Sequence, residues 1–458
     1  DANFGSTTAN VTITINKASQ SALNVSAATS AFNFQASPAL TTTVSSTGGS
    51  GTGTTTYAIQ AGSASVCSIS GTTVTILTAG NCVVVATKAA DTNFLVTTGS
   101  VTIAISKGNQ AAFTASAAAT SLTYRSSPAV TTTVSSSGGS GSGTTTYSVA
   151  AHASSVCSIS GTTVTVLGAG TCEIIATKAA DANFLEATAS VNITIAKANQ
   201  SALNPSASPA TIMLSAIGSA TTSLSATGGS GTGSLTWTVD TGSESICSID
   251  GDVLTALLAG TCHVTVTKAS DSNFEQTSAS LSVVINKGEQ TQLVVDAEST
   301  SLTYSLNPKA TTTLSATGGS TNGAITYTVD ADYAAFCSVE GNVVTALAAG
   351  VCHITAVRAG DNNFLDVYGS ITITINKGSQ AALTLTASDP HLTFSAIDIA
   401  STTLSATGGS GTGDITWLVI DGDCTIEADT VFAFSAGTCD IEGTKAGDDN
   451  FTETSATI

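Results

Sequence analysis

Charge and aromatic side chains are scarce in this chain. Of its 458 residues, 9% are Asp, Glu, Lys or Arg, 5% are aromatic, and there are one Met and four His. With 42% apolar residues the chain has enough material for packed cores, but the balance fits exposed β-structure better than a cytosolic α/β enzyme. Four histidines leave little room for acid–base work. No Ser/His/Asp, Cys/His or paired-carboxylate set repeats, so no enzyme is expected. No apolar run reaches the ~18 residues of a membrane helix, and no stretch combines helical periodicity with caps. Basic residues are few as well: 12 Lys and Arg stand against 31 Asp and Glu, a net charge of −19. The excess is uneven, residues 1–198 carrying +1 and residues 199–458 carrying −20. An acidic surface of this kind repels nucleic acid and anionic lipid and keeps an array soluble.

What the chain does have is a repeating cysteine pair. Cys67 and Cys82 are followed by Cys157 and Cys172, Cys247 and Cys262, Cys337 and Cys352, and Cys424 and Cys439, always 15 positions apart. Equal spacing that uses all ten cysteines implies an oxidising compartment and one internal disulfide per repeat. Zinc is the rival, but it needs four ligands. Only His263 and His353 adjoin a cysteine, where the other copies have Val83, Glu173 and Asp440. Gly48-Gly49-Ser50 returns at Gly138, Gly228, Gly318 and Gly408, and Lys17 and Gln20 return with the same 90-residue period. The fifth copy alone departs, lacking three residues before Cys424.

Within residues 18–107 the alternation of apolar and polar residues reads as seven or so strands. They lie near Leu23, at Phe32–Phe34, over Leu40–Ser46 and Thr54–Gln60, in a hairpin after Cys67, then over Cys82–Lys88 and Thr97–Lys107. Many short strands with turn signals between them make the fold class all-β, an antiparallel β-sandwich in tandem. Leu235, Trp237 and Val239 share one face in the third copy. One aromatic per copy (Tyr57, Tyr147, Trp237, Tyr327, Trp417) falls mid-strand on the apolar face and reads as core rather than as a sugar platform. Units are expected at 18–107, 108–197, 198–287, 288–377 and 378–458, the last with an incomplete final strand. Linkers such as Lys107-Gly108-Asn109-Gln110 are short, so successive units should form a semi-rigid rod, each adding roughly 35–40 Å.

The phrases Thr73-Val74-Thr75 to Ala79-Gly80, Val83-Val84-Val85-Ala86-Thr87 and Lys88-Ala89-Ala90-Asp91-Thr92-Asn93-Phe94 recur in every copy with variations. In them the chain resembles the tandem bacterial immunoglobulin-like (Big-type) repeats of large surface adhesins and intimin/invasin-like stalks, in a disulfide-containing variant. The resemblance implies five Ig-like sandwiches in an extracellular or bacterial cell-surface spacer, stalk or filament. It also leaves a competing role, an adhesin-type module that engages glycan, host surface or cation through the acidic repeats 3–5.

Other candidate sites have plainer readings. The loop Gly48–Gly53 mimics a phosphate cradle, but a Thr-rich strand follows it in place of a helix. Asp91/Asn93, Asp181/Asn183, Asp271/Asn273 and Asp361/Asn363, with Asp1/Asn3 and Asp448/Asn450, are weak calcium candidates, an Asx turn being the competing reading. Lys88, Lys178, Lys268 and Lys445 suit an isopeptide bond, but Arg358 in the fourth copy does not. Thr42 and Thr43 suit a flat ice- or sugar-binding face, although exposed strand threonines need no such purpose. Asn10, Asn24, Asn192 and Asn450 open glycosylation sequons. No cofactor is otherwise expected.

Residues 1–17 read as the terminal strand of another repeat. Asp1-Ala2-Asn3-Phe4 is a phrase from inside the repeat, so the true start is expected upstream. Thr12–Lys17 matches the strand end that the fifth copy lacks. Two arrangements fit, continuation into a longer array or head-to-tail strand exchange between copies.

Overall fold

The computed structural model describes residues 5–458. Asp1 and Asn3 therefore lie outside the described residues. In the first repeat the strands are β1 (Leu23–Ala27), β2 (Ala31–Asn33), β3 (Thr41–Gly48), β4 (Thr55–Ile59), β5 (Cys67–Ser70), β6 (Thr73–Ile76), β7 (Gly80–Lys88) and β8 (Thr97–Ser106). They form two four-stranded sheets, ordered β1-β3-β6-β5 and β2-β8-β7-β4. Repeats 2, 3 and 4 reproduce both orders. In the fifth, the second sheet has three strands: Ile415–Asp421, Asp440–Lys445 and Thr454–Thr457. The chain is thus all-β, five tandem Ig-like sandwiches with one disulfide in each.

Alternation explains the layers. On β7, Cys82, Val84 and Ala86 are buried while Val83 and Val85 point outward and stay half-exposed. Ile103 and Ile105 do the same on β8, and Val74 and Ile76 close the core from the facing sheet. The hairpin between β5 and β6 turns at Gly71, whose φ of 60° is open to a residue without Cβ. In the fifth repeat Ala428 takes the left-handed conformation instead, at φ 54°.

Several expectations change in detail. One edge pair is parallel: β2 runs beside the end of β8 with Ala31 opposite Ala104, a pairing that period-2 alternation cannot reveal. Cys67 and Cys82 lie on different sheets, so the disulfide is a cross-sheet staple rather than a clasp within the hairpin. Leu235 shares the face of Trp237 and Val239 but is 40% exposed at the strand's start. Thr42 and Thr43 form no flat face, because successive strand residues point oppositely. Thr42 is buried and its Oγ1 accepts the Thr29 N–H at 3.0 Å, while Thr43 is exposed. The repeating aromatic is half-buried against the core in each repeat, and the Tyr57 and Tyr147 hydroxyls pair with Ser46 and Ser136 at 2.9 Å.

Contacts group the described chain into two compact units. One runs through Ser201 and adds Gly229–Ser234 and Lys268–Thr277. The other comprises Ala202–Gly228, Leu235–Thr267 and Ser278–Ile458. No helix among the described residues is long and apolar enough to cross a membrane.

The cysteines of repeats 1–4 are at most 1% exposed, whereas Cys424 and Cys439 are half-buried. Thiol exchange requires access to sulfur. Mild reductant under native conditions should therefore open the fifth disulfide first, read by alkylation and mass spectrometry. Replacing both Cys67 and Cys82 by Ala should cost the first repeat about 3 kcal/mol, the loop-closure value for 15 residues, measured by chemical unfolding.

Candidate functional site

The feature that recurs in every repeat is the Asx turn of the Asp-x-Asn-Phe loop, and it lies at the joints. In the first repeat, Asp91 Oδ1 accepts the backbone N–H groups of Asn93 (2.8 Å) and Phe94 (2.9 Å), an Asx turn. Its Oδ2 accepts the Thr52 N–H at 2.6 Å and the Thr52 hydroxyl at 3.2 Å. These donors, the Thr52 backbone N–H foremost, lower the Asp91 carboxyl from an ordinary 3.8 to about 2. The Thr232 backbone N–H does the same for Asp271 and that of Thr412 for Asp448, each to about 2. Asp181 is lowered further, chiefly by the Ser142 backbone N–H. The Gly-rich loop is thus tied down by the carboxylate, as the strand-to-strand reading requires. Gln20 ties it a second time, its Oε1 accepting the Gly51 N–H while its Nε2 donates to the Leu95 carbonyl.

From the second repeat onward this loop grips the repeat before it. Asn183 Oδ1 accepts the Ala79 N–H at 2.9 Å, Asn273 that of Ala169 at 2.8 Å, Asn363 that of Ala259 at 2.9 Å, and Asn450 that of Ala349 at 2.7 Å. The adjoining Phe packs onto the preceding core. Phe184 meets Phe34 edge-on at 5.4 Å, Phe274 meets Tyr124 at 5.5 Å, and Phe451 meets Tyr304 at 5.3 Å. Such pairs contribute about 0.5–1.5 kcal/mol beyond the area they bury. Between the two grips the linker backbone is itself engaged. The Gly108 N–H donates to the Asn183 carbonyl and its carbonyl accepts the Leu185 N–H, both at 2.9 Å, a short parallel bridge. A Cβ on Gly108 would collide with the Phe34 carbonyl, so the linker passes where only glycine or a shifted backbone fits.

His263 is exposed with Nδ1 at 2.9 Å from the Ser282 hydroxyl, and His353 pairs with Asp330 at 2.6 Å. The Thr355 hydroxyl and then His353 lower the Asp330 carboxyl. Asn24 and Asn192 are exposed on strands, whereas the Asn450 side chain is taken up by its joint. A calcium ion at the Asp/Asn pairs would have to displace backbone N–H groups from Asp91, Asp181, Asp271 and Asp361, and from Asn183, Asn273 and Asn363. The role of Asn and Phe as a grip on the preceding repeat was not read from the sequence. The signal was there, since both recur with the 90-residue period beside a short linker.

No protein-family model matches the chain, and no curated protein matches it. Among solved structures it is similar to invasin, a bacterial integrin-binding protein, at 13% identity over 81% of this chain and 81% of that one, with TM-score 0.26. It is similar to Drosophila N-cadherin EC1-4 at 12% identity over 71% of this chain and 92% of that one, TM-score 0.23. A C-terminal fragment of intimin, in complex with the intimin-binding domain of the translocated intimin receptor, matches at 16% identity over 42% of this chain and 67% of that one, TM-score 0.20.

Two outcomes follow from the joint. Asn183→Ala strands the half-buried Ala79 N–H and should remove about 1–3 kcal/mol of coupling between the first two repeats, measured as a separation of their unfolding transitions. Because the Asp pKa values are depressed on folding, the loop's stabilisation is complete above pH ~4 and is lost as pH falls through about 2. Carboxyl chemical shifts of Asp91, Asp271 and Asp448 should titrate there, with loop amides losing exchange protection in step.

Proposed function

We propose that this chain is an extracellular structural protein, a semi-rigid rod of Ig-like repeats that serves as a surface stalk or filament component, with no chemistry of its own. The observation that carries this reading is the joint. At four successive boundaries an Asn side chain and a Phe ring reach back to the preceding repeat, and the linker between is bridged to the loop that bears them. A linker meant for free reorientation would be left solvated and unpaired. Disulfide pairing of all ten cysteines supports a compartment outside the reducing cytosol.

The working units in this reading are 18–107, 108–197, 198–287, 288–377 and 378–458. The joints are held without a metal, the carboxylates serving as Asx turns. Thr12–Lys17 is identical in sequence to Thr372–Lys377 of the fourth repeat. Ile373 and Ile375 are at most 2% exposed there, while Val11, Ile13 and Ile15 are 84%, 79% and 89% exposed. We take this segment as the closing strand of another repeat, which is what a continuing or self-associating array requires.

Negative-stain microscopy of the chain tests the proposal. Straight particles of roughly 180–200 Å, unchanged by EDTA or added calcium, are expected from five units laid end to end. Collapsed or freely jointed particles would refute the rod, and chelator-induced bending would refute the metal-free joint. Specific retention on a glycan array, with repeats 3–5 sufficient for it, would favour the binding role instead.

A further inference from the structure

The four joints are not equal, and we infer that the one between the third and fourth repeats is the compliant joint of the array, a built-in bending point. This rests on the rod reading above and adds to it where the rod yields. Two unrelated departures coincide there. The first is on the receiving side, where Leu214 occupies the position held by Phe34, Tyr124 and Tyr304 at the other joints. Phe364 therefore packs on an aliphatic side chain without the edge-on ring partner that Phe184, Phe274 and Phe451 have. Like Phe274 it is half-buried, while Phe184 and Phe451 are 6% and 5% exposed, so it is the missing ring partner and not exposure that sets this joint apart.

The second departure is on the gripping side. Where the other repeats read Gly-Gly-Ser-Gly, the fourth reads Gly318-Gly319-Ser320-Thr321. A Cβ at the equivalent Gly51 would lie 2.7 Å from Asp91 Oδ2, so Thr321 cannot coexist with the carboxylate in its usual place. Asp361 accordingly keeps its Asx turn to Asn363 and Phe364 through Oδ1. The tie that Thr52, Ser142, Thr232 and Thr412 make to the other oxygen has no counterpart. The Thr321 hydroxyl bonds Gln290 and the Ala359 carbonyl instead, and Arg358 reaches the Thr321 carbonyl with its Nε left buried and unpartnered. The loop that bears Asn363 and Phe364 is thus anchored by one carboxylate oxygen rather than two, and the ring it presents meets a weaker partner. The Asn363–Ala259 bond is kept, and Lys287 donates to the Asp361 carbonyl as Lys377 does to that of Asp448 at the last joint, a tie with no counterpart among the described residues at the first two joints, so this boundary is loosened and not severed.

Amide hydrogen exchange on the full chain tests this at four equivalent bonds. The Leu365 N–H, bonded to the Gly288 carbonyl, should exchange about tenfold faster than the N–H groups of Leu185, Glu275 and Thr452. Leu214→Tyr should slow Leu365 toward the others, and Tyr304→Leu should speed Thr452 toward Leu365. Equal protection at all four joints, or a Leu365 rate that neither substitution approaches, would overturn the inference while leaving the rod intact. Equally fast exchange at all four would overturn both.

Discussion

In four of the five repeats the carboxylate of the Asp-x-Asn-Phe loop faces two ways at once, and the joint geometry depends on that. One oxygen closes an Asx turn under the Asn and Phe, and the other, in four of five repeats, ties the Gly-rich loop alongside. With the loop immobilised from both sides, the Asn amide and the Phe ring are presented to the preceding repeat with little conformational entropy left to lose. In those four repeats the charge is held on the carboxylate because it accepts three backbone N–H groups, a set of partners that water would have to replace if the loop opened.

The cross-sheet disulfide complements this from inside. Repeats of this size with few aromatics have modest cores, and many of the outward strand positions are Ser and Thr. A staple from β5 to β7 holds the two sheets against each other near the end of the sandwich where Ala79 receives the next repeat. Core stability and joint stability therefore meet within a few residues of Cys82. The fifth repeat, with three residues missing before Cys424, a half-buried disulfide and Ala428 in a left-handed turn, departs in several of these features together.

Beyond the loop Asp this arrangement uses few charged residues, which is consistent with how few there are. The Asp of each loop is the main recurring ion with a structural task, and Lys287 and Lys377 each donate to a loop carbonyl. The remaining acidic residues of repeats 3–5 are mostly exposed on the strands and turns, where they set solubility and repulsion between copies rather than the fold.

Strands, hairpin and cysteine pairing were legible because each is a local or periodic property. Alternation at a spacing of two names the buried face of β7 and β8, glycine marks the turn at residue 71, and equal cysteine spacing in every copy names the partners. The 90-residue period likewise marked the repeats without any structure. What alternation cannot say is which strand lies beside which. The parallel edge of Ala31–Asn33 against β8, the placement of Cys67 and Cys82 on opposite sheets, and the burial of Thr42 beneath its neighbours all depend on pairing between distant segments. The joint belongs to the same category. Asn183 and Ala79 are 104 residues apart, and only the packing of one sandwich against the next turns an ordinary turn-forming Asn into the residue that holds two repeats together.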